Sequence, residues 1–314
     1  MKKLGLLILL LMNQMVYSQP AKEFAVYEDS LKIILGKLYN SKADFERYNY
    51  NNQFNELLLK VLKEDNSFDY PFDSLNTIAH LTSPDKNFRI FNWDIALDNG
   101  TFLYDGYIQK YNSTKKKWDI FHLIDKSSEI TGPESATLSP DNWFGALYYK
   151  IVEVKTESRT YYTLLGWDGN NRTSRKKIIE VLYFKTNGVP VFGYNLFRKF
   201  GQKNTRVIFE FSSNVSMSLK YEWQQMDKLI SKPREKKQYK KVKSQFIVFD
   251  RLVPMDPSLV GMFQYYVPET NIFDGFMLEN DRWVFVKDID ARNPFKKKKE
   301  QPKEVEHKVL YKPE

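Results

Sequence analysis

Carboxylate and amide side chains crowd together in the stretch GWDGNN, where Asp168, Asn170 and Asn171 offer oxygen atoms to a cation or a sugar. A calcium loop needs several oxygen ligands at alternating positions and usually a later Glu. The chain instead continues with basic residues that would repel a cation, namely Arg172, Arg175, Lys176 and Lys177. Asp-Gly and Asn-Asn pairs also tolerate the positive φ of tight turns. The stretch therefore predicts a hairpin turn rather than a metal site.

The three histidines, His80, His122 and His307, are not spaced as metal ligands, and the chain has no Cys to complete a zinc site. His122 alternates with apolar residues in DIFHLID, which favours a packed or hydrogen-bonded residue over a catalytic base. Neither a Gly-x-Ser-x-Gly elbow nor a phosphate-binding glycine loop occurs. We therefore expect no cofactor and assign no catalytic residue.

A pair of carboxylates is the catalytic arrangement that the composition leaves open. A glycosidase needs two carboxyl groups roughly 5 to 9.5 Å apart around a sugar. Glu134 and Asp141 are the best candidates, because they flank Trp143 in the stretch GPESATLSPDNW, which we expect to be exposed. A glycan-active hydrolase thus remains an alternative interpretation.

Aromatic and basic side chains are the stronger candidates for binding. Trp143 and Trp167 stand beside predicted turns, where they could stack on sugars or peptides, although such residues more often fill a core. The run SKPREKKQYKKVK holds seven basic residues, of which we single out Lys236, Lys237, Lys240 and Lys241. Such a run either attracts acidic polysaccharide or lipid headgroups, or is only a solvated loop. Nucleic acid is disfavoured, because no nucleic-acid-binding motif occurs.

The first residues, MKKLGLLILLLMNQMVYSQP, have the pattern of a secretory signal peptide, with two Lys, a short apolar region and cleavage after Ser18. We expect a signal peptide over 1–18, a helical segment over 19–84, a β domain over 85–292 and a basic, disordered tail over 293–314. The mature protein would be periplasmic, outer-surface or secreted. No later stretch is long and apolar enough to span a membrane.

The elements that must position these residues change in type along the chain. Residues 21–65 read as helical, with one apolar stripe made of Phe24, Tyr27, Leu31, Ile34, Leu35 and Leu38. A further short helix is predicted from Asp73 to Leu81. From Asn87 onward, twelve short aromatic and β-branched runs are separated by turn residues, which is typical of antiparallel strands.

The basic run lies in an unusually long connection of about twenty residues between the strands VSMSLKYEW and SQFIVFD. We expect this connection to project into solvent. Before it does so, Met226, Leu229 and Ile230 would form one helical turn against the sheet.

Two weak repeats suggest equal units of three or four strands. LTSPDKNFRIF is similar to TLSPDNWFGALYY, and YDGYIQ with KKWDIFHLID is similar to FDGFMLENDRWVFVKDID. A radial array would show such units, and so would a sandwich built from similar hairpins. The fold class is therefore mainly β, an antiparallel multi-stranded domain, propeller-like or sandwich-like, preceded by a short N-terminal helical segment.

The stretches TSPDKNFRIFNWDI, IVFDRLVPMDPSLVGMFQYYVPE and DGFMLENDRWVFVKDIDARN carry a resemblance to a family of exported Bacteroidota proteins of unknown function. The resemblance runs from about residue 70 to 293 and implies no activity or site. With the net charge of +9, we expect a non-catalytic binding or structural module for a glycan or an envelope partner.

Overall fold

A computed structural model describes residues 22–198, 200, 204–229 and 238–289. Two helices come first, α1 over residues 22–40 and α2 over Asp44–Leu62. The predicted apolar stripe of α1 is confirmed, since Phe24, Leu31, Leu35 and Leu38 are buried. None of the helices in the described residues is long and apolar enough to cross a bilayer.

Fourteen strands follow within the described ranges. The first four are β1 (Ala79–Thr82), β2 (Phe88–Ala96), β3 (Phe102–Asn112) and β4 (Lys117–Ile124). The next six are β5 (Leu147–Lys155), β6 (Thr160–Asp168), β7 (Ser174–Phe184), β8 (Pro190–Phe192), β9 (Phe197–Arg198) and β10 (Arg206–Ser212). The last four are β11 (Leu219–Leu229), β12 (Tyr239–Pro254), β13 (Tyr266–Glu279) and β14 (Arg282–Ile289).

The strands form three sheets, which confirms the predicted mainly β, antiparallel class. Sheet 1 has the order β1-β2-β3-β4, and sheet 2 has the order β10-β7-β6-β5 with β8 beside β7. Sheet 3 has the order β11-β12-β13-β14-β9, in which the short β9 pairs with β14 in parallel. The sheets do not close into a barrel.

Alternation along each strand builds a stack of four layers, because successive side chains point to opposite faces of a sheet. In β2, Ile90 packs toward sheet 2 while Phe91 packs against the helices. In sheet 2, Leu164 faces sheet 1, whereas Leu165 joins the core shared with sheet 3. Each fully buried side chain of this size contributes about 1.5–3 kcal/mol. The helices, sheet 1, sheet 2 and sheet 3 therefore follow one another across the molecule.

A buried arginine fastens the segment after α2 to sheet 1. The guanidinium of Arg89 donates to Gln109 Oε1 (2.6 Å), to the carbonyl of Tyr70 (2.9 Å) and to the carbonyl of Ser67 (2.6 Å). Burial lowers its pKa to about 9, and the nearby Asp69 carboxylate opposes this effect. The bonds to carbonyl oxygens compensate the desolvated charge and hold the end of α2 beside the sheet.

The helix predicted from Asp73 to Leu81 is wrong. Turns occupy this stretch, and its last residues form β1, in which Leu81 pairs with Ile90 of β2. Leu75 and Ile78 are buried, but the stretch is shorter than the ~12 residues that make an isolated helix favourable. Pairing with the edge of sheet 1 satisfies the backbone instead.

The long basic connection is also different from the prediction. β11 and β12 pair all the way from Leu219 opposite Phe249 to Leu229 opposite Tyr239, so the link shrinks to residues 230–238. Met226 and Leu229 lie in β11 rather than in a helical turn, and Ile230 lies outside the described residues. The unbroken register pairs the backbone N–H and C=O groups of both strands along this length.

The sequence repeats correspond to repeated local structure. The Ser hydroxyl of each Ser-Pro-Asp turn donates to the Asp carboxylate, from Ser83 to Asp85 and from Ser139 to Asp141. In the third strand of sheets 1 and 3, a Cβ on Gly106 or Gly275 would lie 2.5 or 2.6 Å from a carbonyl oxygen of the neighbouring strand. In both Asp-Gly motifs the glycine is therefore required for the same reason, because a side chain would collide with the neighbouring strand.

Candidate functional site

A cleft of about 590 Å³ lies between the end of α2 and the edge strand β4 of sheet 1. The helical side contributes Leu59, Lys63 and Asp65. The sheet contributes Tyr107, Lys117, Trp118, Asp119, Ile120 and His122. Trp118, Ile120 and His122 line the cleft together because they alternate along β4 and so share one face. Leu59 and Lys63 are four residues apart, which places them on one side of the helix end.

His122 is held from behind by a buried carboxylate. Its Nε2 lies 2.7 Å from Oδ1 of Asp105, where it must donate because a carboxylate only accepts. The imidazole is 42% exposed, while the Asp105 side chain is 12% exposed. Since Nε2 is engaged, Nδ1 is the ring nitrogen that can meet a ligand.

Asp105 is itself fixed by α2 and by the backbone. Its Oδ2 accepts from Asn51 Nδ2 (2.8 Å) and Asn55 Nδ2 (2.7 Å), and its Oδ1 also accepts from the Gly106 amide (2.8 Å). Asn51 in turn accepts a hydrogen bond from the indole of Trp93 (2.8 Å). The network joins α2, β2, β3 and β4 and orients the histidine at the cleft.

Aromatic rings form the floor and one end of the cleft. Tyr107 stacks on the His122 imidazole with centroids 4.7 Å apart, and burial followed by the Asp105 charge raises the pKa of its hydroxyl well above the ordinary value. Trp118 stacks on Phe68 at 4.0 Å and meets Tyr111 edge-on at 5.2 Å. The indole is thus fixed on one side and half-buried.

Asp119 is an ionised acceptor at the margin of the cleft, since its side chain points to the face of β4 opposite to Trp118 and Ile120. Burial works to raise the pKa of its carboxyl, but hydrogen bonds from Asn112 Nδ2 (2.6 Å) and Lys115 Nζ (3.1 Å) outweigh burial, and the pKa lies below its usual value. The group therefore accepts hydrogen bonds and does not serve as a proton donor near neutral pH.

The tryptophans singled out in the sequence lie elsewhere. Trp143 is fully buried, and its indole donates to the Tyr148 hydroxyl (2.9 Å), so its predicted role in stacking on a ligand is wrong although most of the stretch before it is exposed, as expected. Trp167 is half-buried in β6 and meets Phe102 edge-on at 5.6 Å. Burial of Trp143 also leaves no ring between the exposed Glu134 and Asp141.

Two of the four predicted lysines belong to a strand that the structure describes. Lys240 and Lys241 lie in β12 of sheet 3, where Lys241 is exposed. Lys236 and Lys237 fall outside the described residues. His80 lies in β1, half-buried and 6.1 Å from the Phe91 ring, and burial lowers its pKa.

The GWDGNN stretch is a turn, as predicted, and it also closes over a buried carboxylate. Asp168 accepts from the Tyr104 hydroxyl (3.1 Å) and the Asn170 amide (2.6 Å). The positive φ falls at Asn170 (49°) and not at Gly169, whose Cβ would instead collide with the Phe102 ring at 2.4 Å. Within the described residues, no group of three or more His, Cys, Asp or Glu side chains could hold a metal ion.

Sequence reasoning missed Trp118, Asp105, Asn51 and Asn55. A usable signal was present in KKWDIFHLID, since Trp118, Ile120 and His122 follow the two-residue period of one strand face. No comparable signal connects α2 with Asp105, because those residues are about fifty positions apart. Comparison of the chain with protein-family models, curated proteins and solved structures found no match.

Proposed function

We propose that this protein is an exported, non-catalytic module that binds a glycan in the cleft between α2 and β4. The observation that carries the proposal is the half-buried indole of Trp118, fixed on Phe68 and flanked by polar groups on both sides. His122 lies four residues after Trp118 on the same face of β4. Lys117 and Asp119 are the neighbours of Trp118 in sequence.

The chemistry of a sugar suits this arrangement. A pyranose ring has a C–H face that packs on an aromatic ring and an edge of hydroxyl groups that need hydrogen-bond partners. The Nδ1 atom of His122 can accept from such hydroxyls and the Lys63 ammonium can donate to them, while the Asp119 carboxylate lies at the margin of the cleft. The cleft volume lies within the ~300–1,000 Å³ of small-molecule sites.

Pre-organisation supports binding at this position. The Trp118 ring is held by Phe68, and His122 is held by Asp105, so little side-chain freedom remains to be lost when a ligand binds. Immobilising a free side chain costs about 0.5–1.5 kcal/mol. A surface loop of mobile side chains would not have this advantage.

A second candidate function is hydrolysis of the same glycan, because Asp65 and Asp119 both line the cleft. In this alternative Asp119 stays ionised and acts as base or nucleophile, while Asp65 would have to donate the proton. Reducing-end release from a bound oligosaccharide tests it. Loss of that release in both Asp65→Asn and Asp119→Asn would establish an enzyme and refute the non-catalytic proposal.

Binding is tested on an array of neutral and acidic oligosaccharides, followed by titration calorimetry with each positive. We expect Trp118→Ala to weaken binding at least ten-fold, because the stacking surface is removed. Trp223→Ala is the matched control, since this indole in sheet 3 is 48% exposed and distant in the fold. Equal affinities of the two variants, or no binding by the wild type to any glycan, would refute the proposal.

A further inference from the structure

A second hollow of about 400 Å³, the Lys110 pocket, adjoins the cleft. It lies between the turn that joins β3 to β4 and the turn that joins β7 to β8, and Lys110, Lys115, Phe184 and Lys185 are among the side chains that line it. Asp119 lines both the Lys110 pocket and the cleft. The two hollows therefore meet at Asp119 in β4, which is the edge strand of sheet 1.

Lys110 is an unusual cation for a surface hollow, because it is half-buried. Its Nζ lies 4.8 Å from the centre of the Phe184 ring, and its hydrogen bond to the Tyr111 carbonyl is long, at 3.4 Å. Burial lowers the pKa of this amine, and the attraction of Asp85 and Asp119 only partly offsets the lost hydration. An anion beside the ammonium would restore that lost stabilisation.

The carboxylates that attract Lys110 already accept hydrogen bonds, and Asp85 accepts from the hydroxyls of Ser83 and Tyr162. Asp119 accepts from Asn112 and forms an ion pair with Lys115. Among the described residues, no carboxylate oxygen lies within 4 Å of the ammonium of Lys110 or of Lys185. The Lys110 pocket thus presents two positive charges with which no carboxylate of the described residues forms an ion pair.

We propose that the Lys110 pocket binds the anionic group of an acidic oligosaccharide, a carboxylate or a sulfate ester, while a neighbouring sugar occupies the cleft. This inference rests on the proposed function and adds the substrate class. The Lys110 ammonium has an aromatic ring on one side and can meet an anion on the other. Because the site is partly desolvated, the attraction between the two charges is stronger than it would be in water.

Calorimetry at low salt with three hexasaccharides tests the inference: an oligogalacturonate, a chondroitin sulfate fragment and neutral maltohexaose. We expect Lys110→Gln and Lys185→Gln each to lower affinity for the acidic ligand at least five-fold and to leave any neutral binding unchanged. Lys220→Gln, which removes an exposed charge from β11 in sheet 3, should change affinity less than two-fold. Binding of the oligogalacturonate would show that a carboxylate is sufficient, whereas binding of the chondroitin sulfate fragment, which carries both groups, without binding of the oligogalacturonate would indicate the sulfate ester.

A second readout is independent of the oligosaccharide. In protein with ¹³C-dimethylated lysines, the Lys110 resonance should shift on addition of galacturonate and not of galactose. The inference is overturned if Lys110→Gln and Lys220→Gln bind acidic ligands equally well and the Lys110 resonance does not move. In that case, saccharide binding that still depends on Trp118 would leave the proposed function intact. Absence of all saccharide binding would overturn both.

Discussion

Replacement of Asp105 by Ala removes the acceptor that links His122 to the asparagines of α2 in the network behind the cleft. The carboxylate accepts from the side chains of Asn51 and Asn55, from the Gly106 amide and from His122. Three of these donors belong to the interior or its margin, whereas the imidazole of His122 faces the cleft. We therefore expect the contacts of Asp105 with α2 to contribute most of its share of the folding free energy, and the contact with His122 to contribute little.

The magnitude follows from the donors that lose their acceptor. A buried donor left unpaired costs about 1–3 kcal/mol, and Asn51 is buried while Asn55 is partly so. We expect Asp105→Ala to lower the free energy of unfolding by about 3–5 kcal/mol. His122→Ala should cost less than about 1 kcal/mol, because a 42% exposed partner is readily replaced by water.

Urea unfolding followed by tryptophan fluorescence measures both values, and the double variant gives the coupling between the two residues. Asp105→Asn is the informative intermediate. One amide oxygen can still accept from Asn51 and Asn55, but the amide nitrogen then opposes the Gly106 N–H, so we expect a cost of about 1–2 kcal/mol. If Asp105→Ala were within about 1 kcal/mol of the wild type, or if His122→Ala were equally destabilising, the reasoning would be refuted.

Four further predictions concern the GWDGNN turn, the buried carboxylate of Asp168, the basic run SKPREKKQYKKVK and export. Gly169→Ala should destabilise by about 1–3 kcal/mol in calorimetric melting and be relieved in a Phe102→Leu background, whereas Gly36→Ala, with open space around it in α1, should stabilise. Burial raises the pKa of Asp168, so its contribution to stability should increase as pH falls through its native pKa toward the unfolded value of 3.8; urea unfolding between pH 7 and 4 should lose this component in Asp168→Asn. An unchanged pH dependence would contradict that assignment. Neutralising Lys236, Lys237, Lys240 and Lys241 together should weaken binding to acidic glycan or anionic vesicles without changing the melting temperature, and wild-type binding should fall steeply as the Debye length shrinks from ~10 Å at 0.1 M salt to ~3 Å at 1 M. Equal binding by the quadruple variant would leave the basic run without this role. The intact mass of the protein from its native host should correspond to a chain beginning at Gln19, and a retained Met1 would contradict export.

The local pattern of the sequence was sufficient for the class of the fold. Apolar residues recur every three or four positions from Phe24 to Leu38, which indicates a helix. In the runs after Asn87 they recur at every second position, which indicates strands. Turn chemistry was equally readable at GWDGNN, because Asn170 accepts the left-handed conformation that the hairpin requires. The cost of replacing Gly169 could not be predicted from the turn pattern, since only the structure places the Phe102 ring against this residue.

Predictions failed where a segment was decided by its neighbours. Ala79–Thr82 became a strand because the edge of β2 was available to pair with it, and β11 and β12 extended because each provided the other with hydrogen-bond partners. Trp143 and Trp118 have similar polar neighbours in sequence, yet one is buried against Tyr148 and the other lines the cleft. The site itself was decided only by tertiary structure, because Asn51 and Asp105 meet through the packing of α2 on sheet 1, and no spacing along the chain encodes a contact between residues that far apart.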